Sequence, residues 1–305
     1  MNTKFLLEKG KLGKKIYYSI EVLKYIRSKI IKGYKKLFGI NEVSQRKIRH
    51  FVNSNELKVK PKKKYRAKKT LTIVIPCYKH GKYIEKTFLS IINQTKKPDK
   101  VVFIDDFSPD NALSIFKRNV NKYKNKVSID FKIICNNKNI GQSASLNKGI
   151  KIADTDLIMI LNADDYLFHD TVEVVLALLD KYKEVYMLGS GYVEFCNDDF
   201  LDKNNKYIQN VRDIESTKLT IQKPMNVLNY KDFNDLNMTH SSCTFYKIAW
   251  EYIGGYNSNK RKRLVPFSDR DFQLRLNAFY PVAISYDLPF VFWRTNSSVD
   301  IDRNS

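Results

Sequence analysis

Cysteine is scarce in this 305-residue chain. The four present, Cys77, Cys135, Cys196 and Cys243, are too scattered to make a C-x-x-C pair, and with only 4 histidines there is no zinc-like spacing. Such thiols read as small buried side chains in a reducing compartment. Long apolar runs are also missing: none approaches the roughly 20 residues a membrane-spanning helix needs. Near the start, Phe5 to Leu7 is cut short by Glu8 and Lys9, unlike the apolar stretch of a secretory signal. These lacks point to a body that faces the cytoplasm. Neither G-x-x-x-x-G-K-[ST] nor G-x-G-x-x-G occurs, which excludes the two common glycine-rich phosphate cradles. No internal repeat is visible. Acidic residues are scarce at one end only. Of the net +22, residues 1–69 carry +18, from 22 Lys+Arg against 4 Asp+Glu, and the remaining residues are nearly neutral at +4.

That asymmetry divides the chain into a basic extension and linker (1–69), a body (70–298) and a short tail (299–305). From about Leu12 to Phe38 a basic amphipathic helix is expected, with Ile16, Ile20, Leu23, Ile30, Tyr34 and Leu37 on one stripe and lysines around it. Three readings fit: a helix lying on an anionic membrane surface, a coiled coil with a partner, or a helix docked on its own body. The stretch 40–69, ending in PKKKYRAKK, reads as a solvated linker. Nucleic acid is an unfavoured partner, because the tail has no recognised motif and the body no basic stripe.

In the body, apolar runs alternate with helical periods. LTIVIP (71–76), VVFIDD (101–106), IDFKIIC (129–135) and Leu157 to Leu161 read as buried strands, with helices near 83–94, near 110–123, and from Gly141 through Gly149 to about Ala153. This rhythm implies βαβ units and a parallel sheet with right-handed crossovers. A helix over 171–182, a strand over 187–195, a strand at 243–247 and a helix over 268–280 follow. VAISY and FVFWR close the body, and 197–223 is expected to be a long connection near the site.

Chemistry gathers where the strands end. Tyr78 can stack on a base ring, and Asp106 can accept a hydrogen bond from a base N–H. Adjacent carboxylates such as Asp164 and Asp165 are costly unless neutralised, so they can hold a divalent cation against phosphate oxygens. The bland alternative is an acidic turn before a helix. Carboxyl ends of parallel strands are where open α/β sheets bind ligands.

In order and spacing, these segments resemble the family 2 glycosyltransferases of GT-A fold, from about Leu71 to Ser298. The matching pieces are IPCYKHGKYIEKTFLSIINQT, VVFIDDFSPD, NIGQSASLNKG, ILNADDYL, GGYN with SDRDFQLRL, and FVFWRTNSS. The resemblance implies an α/β fold with a mostly parallel, Rossmann-like sheet flanked by helices. It also implies inverting transfer of a sugar, of hexosyltransferase type, from a nucleotide-diphosphate sugar such as a UDP-sugar. A divalent cation (Mn2+ or Mg2+) would sit on Asp164 and Asp165. Pro76, Tyr78, Asp106, Asn139, Gly141, Asn147, Asn162, Asp164 and Arg294 would contact the donor, and Asp269 would be the catalytic base.

Three positions depart from the pattern. Asn162 replaces the first acid of the D-x-D motif, Lys79 the usual asparagine, and Leu146 the usual arginine. For Asp269 the alternative is a helix cap beside Ser268, and for Asp271 capping or ion pairing is the expected role. His240 reads as a loop or acceptor-wall residue. Trp293 either covers the diphosphate with Arg294 or packs in the core. Lys260, Arg261, Lys262 and Arg263 are either solvated surface or an acceptor-side patch for an anionic glycan or lipid-linked acceptor. A peripheral location at the inner membrane face would suit that acceptor. The absence of Q-x-x-R-W and of membrane helices favours single additions over polymer extrusion. A non-catalytic nucleotide-sugar-binding scaffold is the rival function.

Overall fold

The computed structural model describes residues 69–195, 217–224, 236, 238–258 and 268–295. The expected basic helix and linker, Lys260 to Arg263, Cys196 and the C-terminal tail lie outside these residues.

Short runs that are apolar on both sides can be buried only between two layers. β1 (Leu71–Cys77), β2 (Lys100–Asp105) and β4 (Leu157–Ile160) are buried along their whole length, whereas β3 (Asp130–Cys135) is partly exposed at the edge. All pairings among the four are parallel, in the order β3-β2-β1-β4. The helices α1 (Ile84–Ile92), α2 (Ala112–Tyr123) and α3 (Gln142–Ile152) form the crossovers. Successive strand residues face opposite layers. Ile73, Ile75, Val101 and Phe103 pack with Phe88, Phe116 and, from α4 (Thr171–Lys181), Val175 and Leu179. Val74, Val102, Ile104 and Ile158 pack with Leu146 and Ile150 of α3 on the other side.

The helix expected to run to about Ala153 ends at Ile152, and Gly149 lies inside it. A Cβ there would come within 2.6 Å of Ile104 Cδ1 and 2.9 Å of Val74 Cγ1, so the missing side chain lets α3 settle on the sheet. Gly149→Val is expected to cost about 1–3 kcal/mol through overpacking. A lower midpoint in thermal or urea denaturation checks this; an unchanged one would mean that α3 can lift away freely.

The second half of the sheet departs from simple βαβ order. The 187–195 run is not one strand. It breaks at Gly191 into β6 (Met187–Ser190) in the main sheet and β7 (Tyr192–Phe195) in a smaller one. β9 (Thr244–Tyr246) runs antiparallel between β4 and β6. α5 (Lys247–Tyr252) and α6 (Ser268–Asn277) add Ala249, Phe272 and Leu276 to the layer that holds α3. β10 (Val282–Ser285) joins β6 in parallel, and β8 (Thr220–Gln222) pairs antiparallel with β10 at the far edge. Of the connection expected near the site, the part described thus ends on the opposite margin of the sheet. β11 (Val291–Arg294) pairs with β7 and with β5 (Tyr166–Leu167), forming a three-stranded sheet directly after the acidic turn.

Candidate active site

Parallel pairing brings the carboxyl ends of β1, β2 and β4 to one edge, so residues about 30 and 80 positions apart become neighbours. At the β1–β2 end, Asp106 is buried and already well used. Its Oδ1 accepts hydrogen bonds from Asn136 Nδ2 (2.8 Å) and the Ile140 amide (2.9 Å), and its Oδ2 from the Gly141 amide (2.8 Å). In this structure the carboxylate therefore fastens the 136–141 loop, and Gly141, at φ 88°, makes the turn into α3. Tyr78 is half-buried beside it, with the Lys79 ammonium 5.2 Å from its ring centroid. A stacked base would exchange that contact, a modest loss of about 0.5–1 kcal/mol. Asn139 is exposed on the loop.

The 162–165 turn splits its two acids. Asp164 is half-buried and lines the cleft, whereas Asp165 is buried beneath it. The Asp165 carboxylate accepts from the Arg294 amide (2.9 Å), from Asn162 Nδ2 (3.0 Å) and from the Ser241 side chain. Burial, and secondarily the charge of Asp164, push its carboxyl well above the usual carboxylate range; these donors act against them. Shared metal ligation by Asp164 and Asp165, expected from their adjacency, does not match this division, because Asp165 is turned into the protein. The division also gives the asparagine a purpose. Asn162 donates to Asp165 and accepts from Gln142 Nε2 (3.2 Å), and an aspartate could not make the first of these bonds.

Arg294 reaches the turn from β11. Its guanidinium lies 4.2 Å from the Tyr83 ring centroid and 4.5 Å from that of Phe195, donates to the Tyr166 hydroxyl (2.5 Å), and through Nε donates to the Asp164 carbonyl (3.3 Å). A buried cation held this way presents a fixed positive charge at the cleft.

On the opposite wall, Asp269 stands in the first turn of α6, with Oδ1 accepting from the Arg270 amide at 2.7 Å. Asp271 points inward instead, fully buried against Arg275 at 2.8 and 2.9 Å, in the ion-pair role expected for it. Arg275 also donates to the Ile253 carbonyl, tying α6 to the Gly254-Gly255 turn, where both glycines have positive φ. Asn147 does not reach the cleft. Its amide exchanges two hydrogen bonds with the backbone of Tyr256, at 2.8 and 2.9 Å. Tyr256 in turn stacks on Phe272 and bonds His240 Nε2 at 2.9 Å. Burial lowers the His240 pKa against the opposing pull of the Asp269 charge, so its imidazole is neutral near pH 7.

The cleft between these walls encloses about 380 Å³, within the range of small-molecule sites. Of the residues expected from sequence it brings together Pro76, Asn162, Asp164, His240, Asp269 and Arg294. Tyr78, Asp106, Asn139, Gly141, Asn147 and Asp165 lie around or behind it. Gln142, Tyr192 and Met238 also line it and were not anticipated; only the outward position of Tyr192 in its strand carried a sequence signal. Asp164 is the one carboxylate that the turn offers to the cleft. Among the described residues, no three His, Cys, Asp or Glu side chains gather to hold a metal. One carboxylate suits a hard cation whose remaining ligands are substrate phosphates and water, so the residues fit a cation completed by a bound diphosphate.

Residues 72–250, more than half of the chain, match the family model described as glycosyl transferase family 2. A processive diacylglycerol beta-glycosyltransferase of Mycoplasma pneumoniae is 25% identical over 62% of this chain and 55% of its own length. The poly(ribitol-phosphate) beta-N-acetylglucosaminyltransferase TarS of Staphylococcus aureus is 28% identical over 38% of this chain and 20% of its own. The chain thus spans little more than half, or much less, of these relatives. The crystal structure of S. aureus TarS 1-349 in complex with UDP superposes with a TM-score of 0.53 at 18% identity, covering 74% of this chain and 60% of that one. A Pyrobaculum calidifontis mannosyltransferase in complex with GDP-Man and Mn2+ gives 0.50 at 17%, covering 88% and 68%. At these identities the structural likeness establishes the fold.

Proposed function

The chain belongs to glycosyltransferase family 2, and from that premise we propose that it transfers one sugar, with inversion, from a nucleotide-diphosphate sugar to an acceptor hydroxyl. The observation that carries the reading is that Asp164, Arg294 and Asp269 line a single cleft. Arg294 and the 162–165 turn suit the diphosphate. Tyr78 and the end of β2 suit the base. A divalent cation held by Asp164 would supply charge neutralisation for the leaving diphosphate.

Asp269 takes the proton of the acceptor hydroxyl. As that O–H bond breaks, the oxygen bonds to the anomeric carbon on the face opposite the diphosphate, which leaves with the electron pair of the broken C–O bond. A carboxylate is a weak base in water, so its contribution comes from position, within hydrogen-bond reach of an oxygen whose proton grows acidic as the bond forms.

UDP is the nucleotide we favour; complexes with UDP and with GDP-Man are both among the structural neighbours. The acceptor is a cell-surface glycan or a lipid-linked or phosphate-bearing polymer. The names of the bacterial relatives support that class, as do the cations Lys260 to Arg263, six residues before the proposed base. The basic residues 1–69 suit an anionic membrane surface carrying such an acceptor, each Lys or Arg there being worth about 1 kcal/mol.

A screen of nucleoside diphosphates and nucleotide-sugars for thermal stabilisation, with and without Mn2+, tests the donor half. A ligand at about 100 times its dissociation constant adds about 2.7 kcal/mol, and the metal should enlarge the shift only when a diphosphate is present. No stabilisation by any nucleotide would sink the reading.

A further inference from the structure

Tyr192 is 46% exposed, on the outer strand of the small sheet, where an aromatic ring gains less from folding than a buried one does. Its ring meets that of Trp293 at 4.8 Å between centroids and 64° between planes, an edge-to-face contact. The register Val291↔Tyr192 and Trp293↔Glu194 puts both rings on one face of the sheet, opposite the face where Phe195 and Arg294 pack. Both residues line the cleft that holds Asp269. We propose that Tyr192 and Trp293 form an aromatic shelf that binds the face of a pyranose ring in the acceptor. The proposal rests on the glycosyltransferase reading and gives its acceptor a chemical shape.

Pyranoses present a flat patch of C–H bonds bearing partial positive charge, and aromatic faces carry the complementary negative quadrupole. Two braced rings with few rotatable bonds hold such a patch at low entropic cost. A linear polyol has no such face, so the shelf selects rings over open chains.

The position favours acceptor over donor. In the order β5-β11-β7, Tyr192 lies two strand spacings, about 9–10 Å, from the strand that follows the Asp164–Asp165 turn. It borders the Met238-Thr239-His240 wall instead. The Thr239 amide bonds the Ser190 carbonyl at 3.2 Å, and Met238 lies over Gly189, where a Cβ would collide with its sulfur. That wall and Asp269 are where the attacking hydroxyl must stand.

The test uses the full chain as wild type, Tyr192→Ala and Tyr192→Phe, with Mn2+ and the nucleoside diphosphate that stabilises it best. Methyl β-D-glucopyranoside, methyl β-D-galactopyranoside and ribitol are titrated while tryptophan fluorescence is followed. Pyranoside binding that ribitol does not reproduce, weakened about tenfold or more in Tyr192→Ala and kept in Tyr192→Phe, is the expected result. Nucleotide affinity should be equal in all three proteins. The shelf is refuted if ribitol binds as well as the pyranosides, if neither pyranoside binds, or if Tyr192→Ala binds them normally. Weakened nucleotide binding in Tyr192→Ala would refute it as an acceptor site. If pyranosides bind as expected but no nucleotide does, the shelf stands and the donor reading fails.

Discussion

Asp269→Asn should bind nucleotide-sugar as the wild type does and turn it over about 10²- to 10⁴-fold more slowly, the range that a positioned general base supplies. The substitution keeps shape and an acceptor oxygen for the Arg270 amide, so the start of α6 should survive; what is lost is affinity for the acceptor's proton. Asp271, two residues on, provides the contrast. It is fully buried and paired with Arg275, and Asp271→Ala strands that guanidinium, at a cost of about 3–5 kcal/mol of stability. The two carboxylates should thus separate in the laboratory, one affecting turnover at constant melting temperature and the other melting temperature first. Measuring single-turnover rates and thermal midpoints on both variants decides the matter. Should Asp269→Asn turn over normally while folded Asp271→Asn does not, the base has been assigned to the wrong residue.

The second large effect concerns the cation. Asp164→Ala is expected to reduce transfer by about 100-fold or more, because Lewis-acid neutralisation of a leaving diphosphate is worth several kcal/mol. EDTA should produce a comparable loss that added Mn2+ reverses. The Asp164 side chain lines the cleft, so its removal should leave the melting temperature near the wild-type value. Asp165→Ala should behave differently, since it leaves the Arg294 amide and the Asn162 side chain without their acceptor and loosens the turn itself. Undiminished transfer in EDTA would remove the metal from the mechanism.

Much of the architecture was legible in the residues because burial on two faces leaves a plain mark. Runs such as Leu71 to Pro76 can only be central strands, and the helical periods between them fix parallel crossovers. The candidate site was legible as residue types at element ends: Asp164 and Arg294 at strand ends and Asp269 at a helix start, which the structure gathers in one cleft. What could not be read was direction. Asp164 and Asp165 are adjacent and chemically identical, and the donors that hold Asp165 inward include the Arg294 amide, supplied from 129 residues away, and the Ser241 side chain from another part of the chain. Asn147 has the right chemistry to bind donor, but the backbone of Tyr256 claims it first. Gly191 gave no sign that it divides one apparent strand between two sheets, since a glycine within an alternating run reads equally well as a bulge.

The pairing of β5 with β11 also bears on the order in which the protein becomes competent. Closing a loop of well over a hundred residues carries a large entropic cost that grows with its length, so this contact belongs late in folding. On the ribosome, the four parallel strands emerge first and can collapse around their helices while the fixed cation of the cleft is still unsynthesised. On the proposed reading, a nascent or truncated chain lacking residues 291–294 would have a nearly complete core but would lack the Arg294 guanidinium and the amide that holds Asp165. If Arg294 has the proposed role, full competence arrives only with β11, and a product terminated before it should be impaired in holding an activated sugar.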